Sequence, residues 1–467
     1  MTVQTAAGIA FEAHVPVVVV GAGAAGLVAA LRAHADGAAV LVLERDPLPR
    51  GSTALSAGLV PAAGTRWQRE AGIEDSPERF AADIMAKAHG EPDPAVVEAL
   101  TRQCGTVLEW LADAHGLPFS VIADFNYPGH AAHRMHGLPT RSGAELMDRL
   151  LQAATEAGID ILCDAQVTTL FTGTDRRIQG LAYTRPDGAV ERIGCDALVL
   201  ACNGYGGNRA LVARHVPELS DALYFGHAGN QGEALLWGEA LGAATRDLSG
   251  HQGHGSVAHP AGILITWATI TEGGVQVNTA GERFSDEAQG YSEQAAAVLR
   301  QPGRIAWTVF DSRIAGIARQ FEDFRQAEAA GVILSAPDPA ALAAAMKVSP
   351  GALEASLDEV AALKRTGGTD RFGRRFADVP ALQPPYCAVR VTGALFHTQG
   401  GLAVDASGAV LDTGGRPFAN LFATGGAACG VSGRAASGYL SGNGLLSAVA
   451  LGSIAGRAAA KGARGPR

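Results

Sequence analysis

The first strong pattern along the chain is an apolar run, Val17 to Val20, that passes straight into GAGAAG and then into an alanine-rich stretch ending near His34. A β-branched run bounded by glycines predicts a strand buried on both faces, and the alanine-rich stretch predicts a buried helix. Ala39 to Leu43 is a second short apolar run, closed by Glu44. Together these predict a strand–helix–strand unit. Residues 76–116 read as helical and open at Ser76-Pro77-Glu78, an N-cap followed by proline at the first helical position. Ser142 to about Gly158 predicts another amphipathic helix, and 159–202 predicts strands ending in DALVLACNGYGGN.

From about 222 to 378 the character changes to histidine-rich loops followed by helices such as PAALAAAMKV and PGALEASLDEVAALKR. Strand-like, glycine-rich sequence returns at 386–430, and a closing helix is expected from about Gly444. The expected fold is α/β. A Rossmann-like dinucleotide-binding domain is formed by residues 1–222 and 379–467, with an α+β substrate or capping domain, residues 223–378, inserted between them.

Composition narrows the function classes. The 467 residues are enough for two or three domains, and 60 glycines fit an α/β enzyme with many tight turns. A net charge of -9 argues against nucleic acid or an anionic membrane as partner. The N-terminus has no basic region followed by an apolar core, so no secretory signal is expected. VPVVVVGAGAAGLVAAL is uncharged for 17 residues, but its glycines and the following Arg32 suit a buried strand and helix better than a membrane span. Six cysteines without CxxC spacing point to reduced thiols in a cytoplasmic protein. The runs His130, His133, His136 and His251, His254, His259 have a metal-like look. Their glycines predict loops and no cysteine or acid shares the spacing, so no metal is expected; histidines lining a polar pocket fit better.

Gly21-Ala22-Gly23-Ala24-Ala25-Gly26 lies between a predicted strand and helix. The first glycine allows a tight turn, the second lets a pyrophosphate reach the backbone, and the third lets helix and strand pack closely. Phosphates then sit at the helix N-terminus, where unpaired N–H groups favour negative charge. Glu44 follows Gly26 by 18 residues, where a carboxylate can hold ribose hydroxyls. The motif alone fits FAD or NAD, and its single occurrence predicts one dinucleotide.

Further motifs follow in order: GSTALSAG at 51–58, LVLACNGYGGN, TEGGVQVNTAGERFSDE, HTQGGLAVD, NLFATGGAACG and GYLSGNGLLSAVALGSIAGR. In order and spacing the chain resembles the FAD-dependent succinate dehydrogenase/fumarate reductase flavoproteins, a family that includes 3-ketosteroid Δ1-dehydrogenases. The resemblance implies bound FAD. Its cofactor residues would be Gly21, Gly23, Ala24, Ala25, Gly26, Glu44, Arg45, Ser52, Thr53, Ser56, Ala57, Gly58, Val167, Gly425, Asn443, Gly444, Leu445 and Leu446. The closing helix would point its N-terminus at the flavin and stabilise negative charge on the reduced ring. No histidine stands in GSTALSAG, so FAD is expected to be noncovalent.

The substrate positions depart from the dicarboxylate enzymes. Tyr291 stands where the resemblance places the proton-delivering arginine, and Tyr439 replaces another arginine before the Gly442-Asn443 turn. Trp267, after Thr266, takes the place of an acid. His397 matches the family's substrate histidine, and His254 aligns with a second. Without those guanidiniums a C4 dianion loses its bidentate partners. Tyrosines at these places resemble the ketosteroid dehydrogenases, in which one tyrosine and a backbone N–H hold a ketone and another tyrosine takes the α-proton. Tyr439, with an N–H from 442–444, would hold the carbonyl, and Tyr291 would be the base. Tyr127 is a candidate second tyrosine, and Arg434 would meet a carboxylate elsewhere on the substrate. Oxyanion donors of this kind contribute roughly 3–4 kcal/mol each.

The expected activity is desaturation of a ketone, a small cyclic ketone or keto acid such as 4-oxocyclohexanecarboxylate, with an electron acceptor the sequence does not name. The alternatives are a fumarate reductase-like enoate reductase and a non-catalytic flavin protein for electron transfer.

Overall fold

The computed structural model describes residues 1–376 and 379–463. Two compact units emerge: Met1–Val216 with Gly226–His251 and His397–Arg467, and Pro217–Phe225 with Gln252–Phe396. The expected domain boundary at 378 lies outside the described residues.

The first unit is built on a nine-stranded sheet. At its centre Ala13–Val20 lies parallel to Val40–Leu43 on one side and to Val190–Leu200 on the other, with Val20 opposite both Leu43 and Leu200. Val17 to Val20 are buried, as a strand covered on both faces requires. Pro417–Ala423 adds in parallel to Val190–Leu200, the neighbour of Ala13–Val20. Ile178–Thr184 pairs antiparallel with the start of Val190–Leu200, on the same edge as Pro417–Ala423, and Gln166–Thr172 pairs antiparallel with Ile178–Thr184.

The helix Ala24–Ala35 covers this sheet and packs on the C-terminal helix Gly452–Ala463. A Cβ at Gly456 would stand 2.2 Å from the Ala29 carbonyl, and one at Gly452 2.8 Å from that of Ala25. Glycine at both positions is what lets the two backbones touch.

The predicted helix over 76–116 is two helices, Pro77–Lys87 and Pro94–His115, each started by a side-chain cap, Ser76 and Asp93. His89 and Gly90 between them adopt positive φ and break the first helix. The amphipathic helix is Gly143–Glu156, capped by Ser142.

The second unit is α+β. Its seven-stranded sheet runs in the order Ile263–Leu264, His251–Ala258, Tyr386–Thr398, Ile305–Asp311, Val275–Val277, with Leu223–Tyr224 and Ile333–Ala336 also paired to the long strand. PAALAAAMKV and PGALEASLDEVAALKR form the helices Pro339–Met346 and Pro350–Thr366. The run containing His251 and His254 is a strand, where its glycines predicted a loop. The helix Tyr291–Leu299 crosses it so closely that a Cβ at Gly253 would meet the Ser292 carbonyl at 2.7 Å, and one at Gly255 would meet Gln294 at 2.8 Å. The glycines serve helix-on-strand packing, and sequence alone does not separate that use from a turn.

Candidate active site

The dinucleotide turn sits at the carboxyl end of the central strand, where ligands bind in open α/β sheets. Gly21 has φ +101°, and a Cβ there would lie 2.6 Å from the Ala201 carbonyl. A Cβ at Gly26 would fall 1.8 Å from the Gly21 carbonyl. Gly23 differs: a Cβ there meets only Thr53 Oγ1, at 3.8 Å. Space is therefore open over Gly23, where a pyrophosphate must approach the backbone. Ala24 N–H donates to Thr53 Oγ1.

Glu44 is buried at the end of the second strand. Its Oε2 accepts the Ala22 N–H at 2.8 Å and Oε1 accepts that of Asp46 at 3.1 Å. Burial pushes the carboxyl up, opposed by these two N–H groups. Arg45 is turned to the Gly229 carbonyl and to Glu233. Ser52 Oγ accepts from Asn230 Nδ2 and from the His227 N–H. A Cβ at Gly58 (φ +65°) would stand 2.5 Å from the Ser142 carbonyl, and Ser56 and Ala57 precede it in the same loop. Val167 is buried in Gln166–Thr172, and a Cβ at Gly425 would meet that of Ala25 at 2.9 Å.

The chain is helical from Asn443 to Ala463, through Asn443–Leu446, a wide turn Ser447–Leu451, and Gly452–Ala463. Leu446 is buried and Leu445 half-buried. Asn443 Oδ1 and Ser447 Oγ, at the start of this segment, are buried without a hydrogen-bond partner. Buried polar atoms are otherwise paired, so these two fit a polar ligand. The open space over Gly23, the carboxylate of Glu44 and these orphaned atoms together fit FAD.

The sequence profile described as the FAD binding domain matches residues 16–445. The chain belongs to this FAD-binding family. It is an FAD-dependent oxidoreductase related to the fumarate reductases. The probable fumarate reductase Ifc3 of Shewanella frigidimarina is 31% identical over 95% of this chain and 74% of its own length. The 4-oxocyclohexanecarboxylate 2-dehydrogenase of Sinomonas cyclohexanicum is 25% identical over 88% of this chain and 87% of its own. Among solved structures, the open conformation of a flavocytochrome c3 fumarate reductase superposes with a TM-score of 0.83, at 31% identity, over 98% of this chain and 80% of that one. The 3-ketosteroid-Δ4-(5α)-dehydrogenase of Rhodococcus jostii shares the fold, with a TM-score of 0.77, at 24% identity, over 98% of this chain and 100% of that one.

Within the first unit of this FAD-binding oxidoreductase, Tyr439, His397 and Tyr127 come together. The His397 and Tyr439 rings meet edge to face with centroids 5.6 Å apart. Burial raises the Tyr439 phenol, the Gly444 and Gly442 N–H groups lower it, and Tyr127 nearby raises it again. The N–H groups expected to help hold a substrate oxygen thus point at the phenol's own oxygen. Tyr127 stands edge to face with Phe125 at 5.1 Å, and burial pushes its phenol up to about 12.

His397 is pushed down to about 4 by burial, and a Cβ at Gly444 would lie 2.8 Å from its Nε2. Its Nδ1 is 2.8 Å from Gln399 Nε2, Gln399 Oε1 accepts from Ser432 Oγ, and Ser432 Oγ accepts from Asn443 Nδ2. This chain of bonds ties the histidine to the closing helix. Gln399 and Ser432 escaped sequence reasoning; the only signal was the place of Gln399 in HTQGG. Arg434 is largely exposed and pairs with Asp247 at 3.5 Å, and Gly442 has φ +88°.

Within the second unit, His254 is buried and stacks face to face on Tyr291 (4.9 Å) and on Phe396 (5.1 Å), which stacks on Phe225 (4.8 Å). Trp267 meets His254 edge-on at 5.6 Å. His254 Nδ1 accepts the Ser256 N–H, and burial pushes the imidazole down to about 3, so it is neutral. Tyr291 is the first residue of Tyr291–Leu299. Thr266 accepts the Ala268 N–H in the turn before Ala268–Thr271.

In the other histidine run each ring makes hydrogen bonds inside its own unit. His136 bridges Thr65 and the Arg134 carbonyl, and His133 donates to the Phe125 carbonyl. Among the described residues no three His, Cys, Asp or Glu side chains converge as metal ligands, and no helix is long and apolar enough to cross a membrane.

Proposed function

We propose that this oxidoreductase desaturates a ketone, removing an α-proton and a β-hydride from a small cyclic ketone or keto acid of the 4-oxocyclohexanecarboxylate kind. The observation that carries this reading is Tyr291 stacked on a neutral imidazole within a group of aromatic rings. Tyr439, edge to face with His397, also supports it. The name of the Sinomonas relative adds a precedent for a keto acid among similar chains.

Bound FAD, held noncovalently, supplies a two-electron acceptor for the hydride. Tyr439 gives its O–H to the ketone oxygen. Two backbone N–H groups already face the phenol oxygen, so its proton is directed away from them and the donor is strengthened. As the α-proton leaves, charge develops on that oxygen, and a donor fixed in advance costs no reorganisation. Tyr291, as its phenolate, takes the α-proton and ends as the neutral phenol. Tyr127, whose phenol stays protonated, and His397, a neutral ring with a proton to give from Nε2 when Nδ1 accepts from Gln399, supply further uncharged donors. Arg434 would meet the carboxylate of a keto acid. Pro217–Phe225 with Gln252–Phe396 would form the capping domain.

The fumarate reductase relatives favour a second reading, reduction of an enoate. One anaerobic experiment separates the readings. The FAD-loaded protein is mixed with cyclic ketones, 4-oxocyclohexanecarboxylate, steroids and succinate while flavin absorbance near 450 nm is followed. Ketone desaturation predicts bleaching by ketones or keto acids, lost in Tyr291→Phe with FAD still bound. Reoxidation of reduced flavin by fumarate without any response to ketones favours the enoate reductase. Silence toward both classes favours an electron-transfer protein. A Tyr291→Phe protein that bleaches as fast as the parent removes the base assignment.

A further inference from the structure

The first histidine run contains a residue whose bonds lead into the candidate site. His130 Nε2 lies 3.0 Å from the Ser441 carbonyl oxygen, and its Nδ1 lies 3.3 Å from Arg134 Nη1. A guanidinium donates and never accepts. Nδ1 is therefore the acceptor, the ring proton sits on Nε2, and it is given to the Ser441 carbonyl.

Arg134 is fixed in turn. It is fully buried, with Nε 2.7 Å and Nη2 2.9 Å from the two Asp75 oxygens, Nη1 on Asp83, and its guanidinium 4.8 Å from the Phe80 ring centroid. Burial pushes His130 down to about 4, so the ring stays neutral and keeps this tautomer.

The Ser441 carbonyl and the Gly442 N–H belong to one planar trans peptide, and they point to opposite sides of it. Holding the oxygen on one side aims the N–H on the other. That N–H lies near enough to the Tyr439 oxygen to favour its ionised form. Gly442 takes φ +88° and packs so closely on Pro61 that a Cβ there would lie 2.8 Å from it.

We propose that His130 is a positioning residue for Tyr439: by gripping the Ser441 carbonyl it orients the 441–442 peptide, whose N–H faces the phenol and directs its proton to the substrate. This rests on the reading of Tyr439 as the group that meets the ketone. The role of the orienting peptide itself does not.

The test uses the FAD-loaded full chain with His130→Leu, which removes the donor, and His130→Gln, which returns an N–H near the Nε2 position. Should the leucine variant not fold, His130→Asn, polar but too short to reach Ser441, takes its place. Crystal structures report the 441–442 peptide directly. It is expected to rotate or shift in His130→Leu and to stay in place in His130→Gln. With 4-oxocyclohexanecarboxylate as probe, or cyclohexanone if that alone bleaches the flavin, kcat is expected to fall about tenfold in His130→Leu and to recover in His130→Gln. In a Tyr439→Phe background the same change should cost less than about twofold, because the two act in series. An unmoved peptide in the loaded leucine variant overturns the proposal, as do equal losses in both backgrounds. If Tyr439→Phe alone keeps full activity, the ketone reading of Tyr439 fails, and the peptide orientation still decides the role of His130.

Discussion

His254 lies face to face with Tyr291, ring centroids 4.9 Å apart and planes 20° from parallel. Its second face meets Phe396 at 5.1 Å, and its Nδ1 takes the Ser256 N–H. The imidazole therefore acts as an uncharged aromatic plate. A dicarboxylate needs bidentate cationic partners when it leaves water, and the neutral His254 ring is not one. A ketone needs only a donor at its oxygen and a base at its α-carbon.

Replacing Tyr291 by phenylalanine keeps the ring and its stacking but removes the oxygen. Ketone-driven bleaching should slow by at least about a hundredfold, the usual scale of a lost general base. The ratio of flavin to protein absorbance should stay that of the parent.

Tyr439→Phe removes the proposed carbonyl donor while the edge-to-face contact with His397 survives. A loss of about a hundredfold or more in kcat is expected, the scale of one oxyanion donor. KM should change much less, since the bond strengthens as charge develops. Stopped-flow traces at saturating ketone separate the two quantities, and an effect confined to KM would count against the assignment.

Glu44 takes two backbone N–H groups, and in the proposed FAD site it would also take the ribose hydroxyls. Glu44→Ala should weaken FAD binding by about ten- to a hundredfold, as expected when hydrogen bonds to a charged group are lost. Quenching of flavin fluorescence on titration into apoprotein measures it. Gly23→Val, which fills the space over the turn, should weaken binding further.

Four buried histidines set an acid limit. Burial holds His130, His136 and His397 down to about 4 and His254 to about 3. Unfolded, each takes a proton near pH 6.5. Above that value both states are neutral and nothing is lost. As pH falls from about 6.5 toward 4 the unfolded chain binds protons that the folded chain does not, so stability drops by about 1.4 kcal/mol per pH unit for each histidine. Thermal melts from pH 7 to 4.5 should show a steep fall, shallower in His254→Phe.

Arg283, Arg374, Asp370 and Glu287 form a buried ionic cluster in the second unit, with Glu287 Oε2 2.7 Å from Arg283 Nη2 and 2.9 Å from Arg374 Nη1. Burial alone would raise the Glu287 carboxyl, but Arg374 and Arg283 outweigh it and hold it low. Glu287→Ala leaves two buried guanidiniums short of charge and should cost about 3–5 kcal/mol. Urea unfolding of the variant measures this. The stretch containing Arg283 and Glu287 is therefore also a folding element of its unit.

The sequence alone determined the FAD-binding unit, because a glycine turn between strand and helix, closed by an acid on the next strand, is a local pattern with one good structural solution. Gly21 and Gly26 make there the close backbone approaches their spacing required. It also marked Tyr291 and Tyr439 as unusual, since their positions are read against linear motifs. Tertiary structure decided the rest. Gly253 and Gly255 looked like loop residues, and only the helix that crosses them made them part of a strand. His130, His133 and His136 shared a spacing, yet each ring is committed to a different partner, and the partner of His130 lies 311 residues away. Gln399 and Ser432 gained meaning only once Asn443 was folded back onto them. Spacing along a chain encodes the geometry of one helix or one strand; hydrogen bonds between distant segments depend on which segments meet, and that is a property of the packed molecule.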